Sequence, residues 1–287
     1  MGKSKVYFTK EISPESLVKI YEALGRELPG KVAVKISTGE SEKSNNLCPE
    51  LIAPLVQELN GTIVECCTAY GGNRQDKRKH WSAIEKRGYK EIAPVEIMDE
   101  FSEFGIPVEG GFHLQEDIVG GGLKNYDSVL ILSHFKGHAM AGYGGAIKNI
   151  SIGLASSRGK IRIHTGGTSD THWHDELQME FLEAMAEAGK AVADYLGDRI
   201  IYINVMNRLS IDCDCDPNPS EPDMHDIGIL ASTDPVALDQ ACLDLIYQAE
   251  GNELFLQRLD SLYGTHTIDH AVEMGLGTQA YDLIPID

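Results

Sequence analysis

Residues 128–135 read SVLILSHF, apolar at successive positions and not at alternate ones. Such a run cannot turn one face to water, so it predicts a β-strand covered on both sides, as in a parallel sheet flanked by helices. The rest of the chain has the rhythm that this sheet requires. KVAVKIST (31–38), TIVECCTAYGG (62–72), RIIYINVMN (199–207) and DIGILAST (226–233) predict further strands. Between them lie helical stretches: PELIAPLVQELNG from Pro49, stopped by Gly61, then RKHWSAIEKRGY, DELQMEFLEAMAEAGKAVADYLGD (175–198) and PVALDQACLDLIYQ, opened by Asp234-Pro235. Strands alternating with helices at this spacing predict an α/β fold with a mainly parallel sheet flanked by helices. The 287 residues suit a single domain, 1–287, or two lobes meeting near the glycine-rich stretch 137–167. No repeat or linker fixes a boundary.

Charge narrows the partners. The chain carries 25 Lys and Arg against 44 Asp and Glu, a net charge of −19. That field repels nucleic acid and anionic membrane, which are therefore not expected partners. The opening residues, MGKSKVYFTKEISPESL, predict no secretion signal, and no run of about 18 apolar residues predicts a membrane span. The six cysteines form no secreted disulfide framework, so a reducing cytoplasm is the expected location. A homodimer is expected only as the common state of soluble proteins of this kind.

In open α/β sheets, ligands lie beyond the carboxyl ends of the strands. This rule selects Thr38 to Glu40, Ala69 to Arg74, His134 to Lys148, Asn207 to Asp216, and Thr233-Asp234, where most of the unusual chemistry falls. SHFKGHAMAGYGGAIKN follows the buried strand directly. Its glycines, Gly142, Gly144 and Gly145, allow backbone N–H groups to approach an anion, and Lys148 adds a positive charge or a nucleophilic amine. The order of residues matches neither a Walker loop nor G-x-G-x-x-G. SIDCDCDPNPSEPDMHD (210–226) places Asp212, Cys213, Asp214, Cys215 and Asp216 in a row, either metal ligands or an Asx-rich turn with two inert thiols. In HTGGTSDTHWHDE (164–176), His172 and His174 flank Trp173, and Ser169 or Asp170 offers a helix N-cap instead. Cys66 and Cys67, late in a strand, are expected to be buried on opposite faces.

The combination of SHFKGHAMAGYGGAIKNISIGLASSRGK, IDCDCDP and DIGILASTDPVALDQACLDLI resembles the DUF362 family over nearly the whole chain, and within it the branch described as uncharacterised iron–sulfur-centre proteins. Members of that branch carry a C-x-x-C-x-x-C insert after the Gly-Lys segment. The matching region here, HTGGTSDTHWHDELQ, has no cysteine, so no ferredoxin-type 4Fe–4S cluster is expected. A more distant likeness is to the nickel-pincer lactate racemase family, whose His, glycine-rich loop, Lys and second His have the spacing of His138, GYGGAIK, Lys148 and His164. By that resemblance His138 is a proton-transfer base, Lys148 the anchor of a cofactor and His164 a nickel ligand. The racemases' second acid/base His falls on Asn73, followed by Arg74, and their early substrate arginine falls in STGES, which has none. Racemisation needs a base on each face of the carbon, so a pocket with different chemistry is expected.

These readings converge on a metal, cofactor or small-anion site around 134–148, used for proton or hydride transfer on a small organic acid. His138 and Lys148 are the expected catalytic residues. Lys148, Gly142, Tyr143, Gly144, Gly145, Asn73 and Arg74 are expected to bind a cofactor. His164, Asp212, Cys213 and Cys215 are the expected ligands of nickel, zinc or iron. The alternative is a non-catalytic metal-binding or electron-transfer protein without the family's iron–sulfur domain.

Overall fold

The computed structural model describes residues 2–287. From the N-terminus, β1 (Ser4–Thr9), α1 (Pro14–Ala23), β2 (Val32–Lys35), α2 (Pro49–Glu58) and β3 (Thr62–Glu65) come first. Helices α3 (Lys77–Lys86) and α4 (Tyr89–Ile92), strand β4 (Val95–Ile97) and the hairpin β5 (Glu103–Pro107) and β6 (Glu116–Gly120) follow. The uniformly apolar run is β7 (Ser128–His134), and a small ribbon of β8 (Lys136–His138) and β9 (Gly142–Gly144) leaves its end. Helices α5 (Ala146–Ile150), α6 (Ser157–His164) and α7 (Gln178–Leu196) lead to β10 (Ile200–Met206) and β11 (Gly228–Ser232). The chain closes with α8 (Pro235–Gln248), α9 (Glu253–Ser261), α10 (His266–Glu273) and β12 (Tyr281–Pro285).

Eight strands form one sheet in the order β12-β1-β11-β10-β7-β2-β3-β4. From β10 to β4 every neighbouring pair is parallel, and β11 runs antiparallel to both β10 and β1. Strands before and after residues 137–167 therefore pair directly, with Val129 opposite Ile200 and His134 opposite Val205. All seven residues of β7 are buried, as the run predicts. Val129 and Ile131 enter one core, shared with α5, α7 and α8, while Leu130 and Leu132 enter a second core, shared with α1 and α2. Cys66 and Cys67 likewise divide between the two cores. Among the described residues, no helix is long and apolar enough to cross a membrane.

The structure departs from the sequence reading at the sheet margins and at one helix start. Strands β1, β4 and β12 and the β5–β6 hairpin are short or carry half-exposed residues, so they lack a strong apolar pattern. Helix α7 begins at Gln178 and not near Ser169. The Ser169 hydroxyl caps a local turn, accepting from the N–H groups of Thr171 (3.3 Å) and His172 (2.9 Å), and Asp170 pairs with Arg158 (2.9 Å).

One glycine sets how closely β8 approaches the loop after β10. The Gly137 N–H donates to Ser210 O at 2.8 Å, and a Cβ at position 137 would lie 2.5 Å from Ile211 Cα. Gly137→Ala is expected to destabilise the fold by about 1–3 kcal/mol through overpacking against backbone. Gly71→Ala, where nothing lies within 4 Å, is expected to stay within about 0.5 kcal/mol of wild type. Urea unfolding of the two variants side by side checks both values.

Candidate functional site

Parallel strands deliver their following loops to one end of the sheet, and a cavity of about 110 Å³ lies there. β2 contributes Lys35, β3 contributes Glu65, β7 contributes His134, and the loop after β10 contributes Cys213, Asp214 and Cys215. Thr233-Asp234 is absent from this lining. β11 is reversed, so its carboxyl end points to the opposite edge, where Asp234 caps α8 by accepting from Val236 N (2.9 Å) and Ala237 N (3.0 Å).

His138, Lys148 and His164 all line this one cavity. Lys148 projects from α5, and among the described residues it has no hydrogen-bond or ion-pair partner. Burial and the neighbouring Lys136 ammonium push its pKa down to about 7. The other ammonium groups are all engaged. Lys35 Nζ donates to Ile36 O (2.6 Å), Lys136 Nζ donates to His134 O and Asp214 Oδ2 (both 2.8 Å), and Lys160 Nζ donates to Ala155 O. Burial also lowers Lys35, to about 8, against the opposing pull of Glu65.

The two imidazoles are held differently. The His138 Nδ1 accepts from the backbone N–H groups of Met140 (3.1 Å) and Ala141 (3.0 Å). The His164 Nδ1 faces Lys160 O at 2.7 Å, an atom that can only accept. Its ring stacks on Phe181 and lies 4.4 Å from the Trp173 ring, centroid to centroid. Burial, with Lys148 next in effect, holds His138 well below the usual imidazole range; burial also brings His164 down to about 3. Both rings are therefore neutral at neutral pH. Trp173 lines the cavity, while His172 and His174 on either side hydrogen-bond locally to Thr171 and Thr168.

Several expected binding residues have structural work instead. Asn73 is exposed and directs its amide to Glu40 O (2.9 Å), outside the cavity. Arg74 does line the cavity, but its guanidinium is committed to Glu40 (3.1 Å), Glu65 (3.5 Å) and the Tyr70 hydroxyl (2.9 Å). Gly144 and Gly145 line the wall; Gly142, at φ 78°, forms the ribbon turn and packs against Gly264. Tyr143 is buried against Phe135 with its hydroxyl toward Asp239 (3.4 Å). The backbone N–H groups expected to cradle a ligand are taken by the protein's own carboxylate. Asp239 Oδ1 accepts from Ala146 N (2.7 Å) and Asn204 Nδ2 (2.7 Å), and Oδ2 accepts from Ile147 N (3.0 Å).

Around the cysteines, the inward carboxylate is Asp214 and not Asp212. Asp212 accepts from Ser220 N (3.0 Å) at the surface, whereas Asp214 is buried between His134 Nδ1 (2.8 Å) and Lys136. Burial would raise the Asp214 pKa, but Lys136 and His134 outweigh it and hold it well below the carboxylate range. Glu65 is likewise raised by burial and then held low, chiefly by Arg74 and Lys35. One His138 nitrogen and the sulfurs of Cys213 and Cys215 lie within 4.8 Å of one another, a donor group of the size a metal requires. The expected ligands His164 and Asp212 are outside it. In the state described the group does not fit an ion: the sulfurs are joined as a disulfide, and His138 Nδ1 is occupied by two N–H donors. An iron–sulfur cluster fits no better, since of the remaining cysteines, 48, 66, 67 and 242, only Cys66 reaches the cavity.

Sequence reasoning missed Asp239, Asp214 as distinct from Asp212, and the flanking lysines Lys35, Lys136 and Lys160. A charged residue inside the apolar pattern PVALDQACL was the available signal for Asp239. Asp239→Asn replaces one acceptor oxygen with an amide facing N–H donors. It is expected to destabilise the protein by about 2–4 kcal/mol, read from the denaturant midpoint.

Fold and site together define an α/β protein with a basic cavity at the carboxyl ends of its parallel strands. The chain belongs to the DUF362 family, whose profile, described as "Domain of unknown function (DUF362)", matches residues 32–244. No curated protein matches the chain. Among solved structures, it is similar to the lactate racemase apoprotein from Thermoanaerobacterium thermosaccharolyticum, at 14% identity and a TM-score of 0.43 over 70% of this chain. It is also similar to a Thermotoga maritima protein, at 12% identity and a TM-score of 0.44 over 92% of this chain. The chain spans 50% and 59% of the lengths of those two proteins.

Proposed function

We propose that this protein binds a small organic anion in the cavity and exchanges a proton with it through Lys148. The observation that carries this reading is the unpartnered Lys148 amine, in a cavity that four further cationic side chains line against two carboxylates, Glu65 and Asp214. An uncompensated buried charge is expensive, and an incoming carboxylate supplies the missing counter-charge. A pKa of about 7 lets the same amine give or take a proton at neutral pH without a large energetic penalty. Lys136 and Lys35, hydrogen-bonded to backbone carbonyls and paired with Asp214 and Glu65, shape the field without competing for that role.

The sign of the pH dependence follows from the ammonium form being the anion binder. That form dominates below about pH 7, so affinity for malonate, used as a probe, is expected to fall as pH rises through 7. The limiting slope is about tenfold per pH unit. Lys148→Ala is expected to abolish malonate binding in calorimetry while leaving the circular dichroism spectrum unchanged. Undiminished binding to that variant overturns the proposal.

The proximity of His138, Cys213 and Cys215 supports a second reading as a soft-metal protein. A thiol reductant would open the disulfide to two thiols, and the donor set becomes available once the imidazole proton also moves. Protein purified under reductant would then contain stoichiometric zinc or iron that is lost in Cys213→Ser. Elemental analysis of the two preparations decides; metal-free wild-type protein removes this reading.

A further inference from the structure

His138 lines the cavity and holds the backbone with its Nδ1, and the backbone contact fixes which nitrogen carries hydrogen. A neutral imidazole has one N–H and one lone pair. Two backbone N–H groups, from Met140 and Ala141, converge on Nδ1, so the lone pair is there and the hydrogen is on Nε2. Among the described residues, Nε2 has no hydrogen-bond partner, and His138 lines the cavity. A proton cannot be added to Nε2, which already bears one, nor to Nδ1 without facing two donors. A metal cannot bind Nε2 unless its hydrogen first moves to Nδ1, against the same two donors. The base and ligand roles are thus both closed to this ring in the conformation described.

We propose that His138 is a dedicated Nε2–H donor to an oxygen of the anion held at Lys148. The assignment rests on the anion-site reading above and deepens it: the ligand presents an oxygen acceptor between an ammonium and a neutral imidazole N–H. A carboxylate oxygen suits this position, as does an oxyanion that develops during proton transfer. A neutral donor held in place by the fold stabilises such an oxygen without yielding its own proton. His164 provides the internal contrast. Its Nδ1–H donates to Lys160 O, which leaves Nε2 as a lone pair, so the two cavity imidazoles are opposite tautomers.

The test is a two-bond proton–nitrogen correlation spectrum of protein labelled with ¹⁵N-histidine, recorded at neutral pH before and after addition of malonate. Expected is a ring with hydrogen on Nε2 for His138 and on Nδ1 for His164, each assigned by loss of its signals in the His138→Gln and His164→Gln variants. On malonate addition the His138 Nε2–H resonance is expected to move. His138→Ala is expected to weaken malonate binding about tenfold, and His138→Gln, which keeps an N–H donor, to weaken it less. Hydrogen on the His138 Nδ1, or an unmoved Nε2–H signal while malonate binds in a Lys148-dependent manner, overturns this inference and leaves the anion site standing. The expected tautomers without any malonate binding overturn the anion site and the ligand assignment with it.

Discussion

The carboxylate of Asp239 is the interaction on which the site's geometry depends. It is fully buried on α8, and it gathers donors from Ala146, Ile147 and Asn204, joining the start of α5 to α8 and to the central strand β10. Burial raises its pKa to about 6, so it remains ionised at neutral pH, opposed by burial and sustained by these donors. Helix α5 has only five residues, too few to hold itself together, and its direction is therefore imposed from outside. Asn149 completes the restraint from the other side, donating to Lys35 O (3.2 Å), Leu132 O (3.3 Å) and Ser133 Oγ (3.1 Å) at the ends of β2 and β7. Ile147 and Asn149 are both tied down; Asn149 and Lys148 line the cavity together, and of the two only the Lys148 side chain is left without a hydrogen-bond partner among the described residues.

The cavity wall shows how a fold accommodates several positive charges at close quarters. Each of Lys35, Lys136 and Lys160 reaches a main-chain carbonyl, and Glu65 and Asp214 absorb part of the remaining charge. Arg74 is enclosed by Glu40, Glu65 and Tyr70. Among the described residues, what is left without a hydrogen-bond partner on this wall is the Lys148 amine and the Nε2 atoms of His138 and His164, while the Lys160 ammonium has a carbonyl alone. The glycines contribute in a way different from a phosphate-binding loop. Gly145 stands where a Cβ would meet the Asp239 carboxylate at 2.4 Å, so it makes room for an internal anion and not for a ligand.

The architecture was legible because its signals are local. The β7 run, the strand–helix alternation and the strand-end rule each rest on a few consecutive residues, and they led to the loop that carries His138 and Lys148, while His164 came from the spacing shared with the racemase family. Asn73, Asp212 and Tyr143 lie outside the cavity for one physical reason: all three have suitable chemistry, and only three-dimensional packing decides which way a side chain turns. In 212–215, alternation places Asp214 and Asp212 on the same side in an ideal strand, but this segment is a turn, so neighbouring identical residues have different surroundings. The omission of Thr233-Asp234 from the site has a topological cause, since the direction of β11 depends on its pairing with β1 and β10 and not on its own composition. Asp239 was hidden because its partners lie some 35 and 93 residues away in the chain.

The contrast between a chain of net charge −19 and a cavity lined by more cationic than acidic side chains bears on kinetics. At physiological ionic strength the outer field decays over about 8 Å, so a distant anion meets repulsion before it senses the lysines. On the anion-site proposal, polyanions that extend across that shell would be repelled over their whole length, whereas a compact ion would escape the repulsion once inside the mouth. Added salt would then shorten the search and at the same time loosen the grip, so entry and retention of an anion would respond to ionic strength in opposite directions.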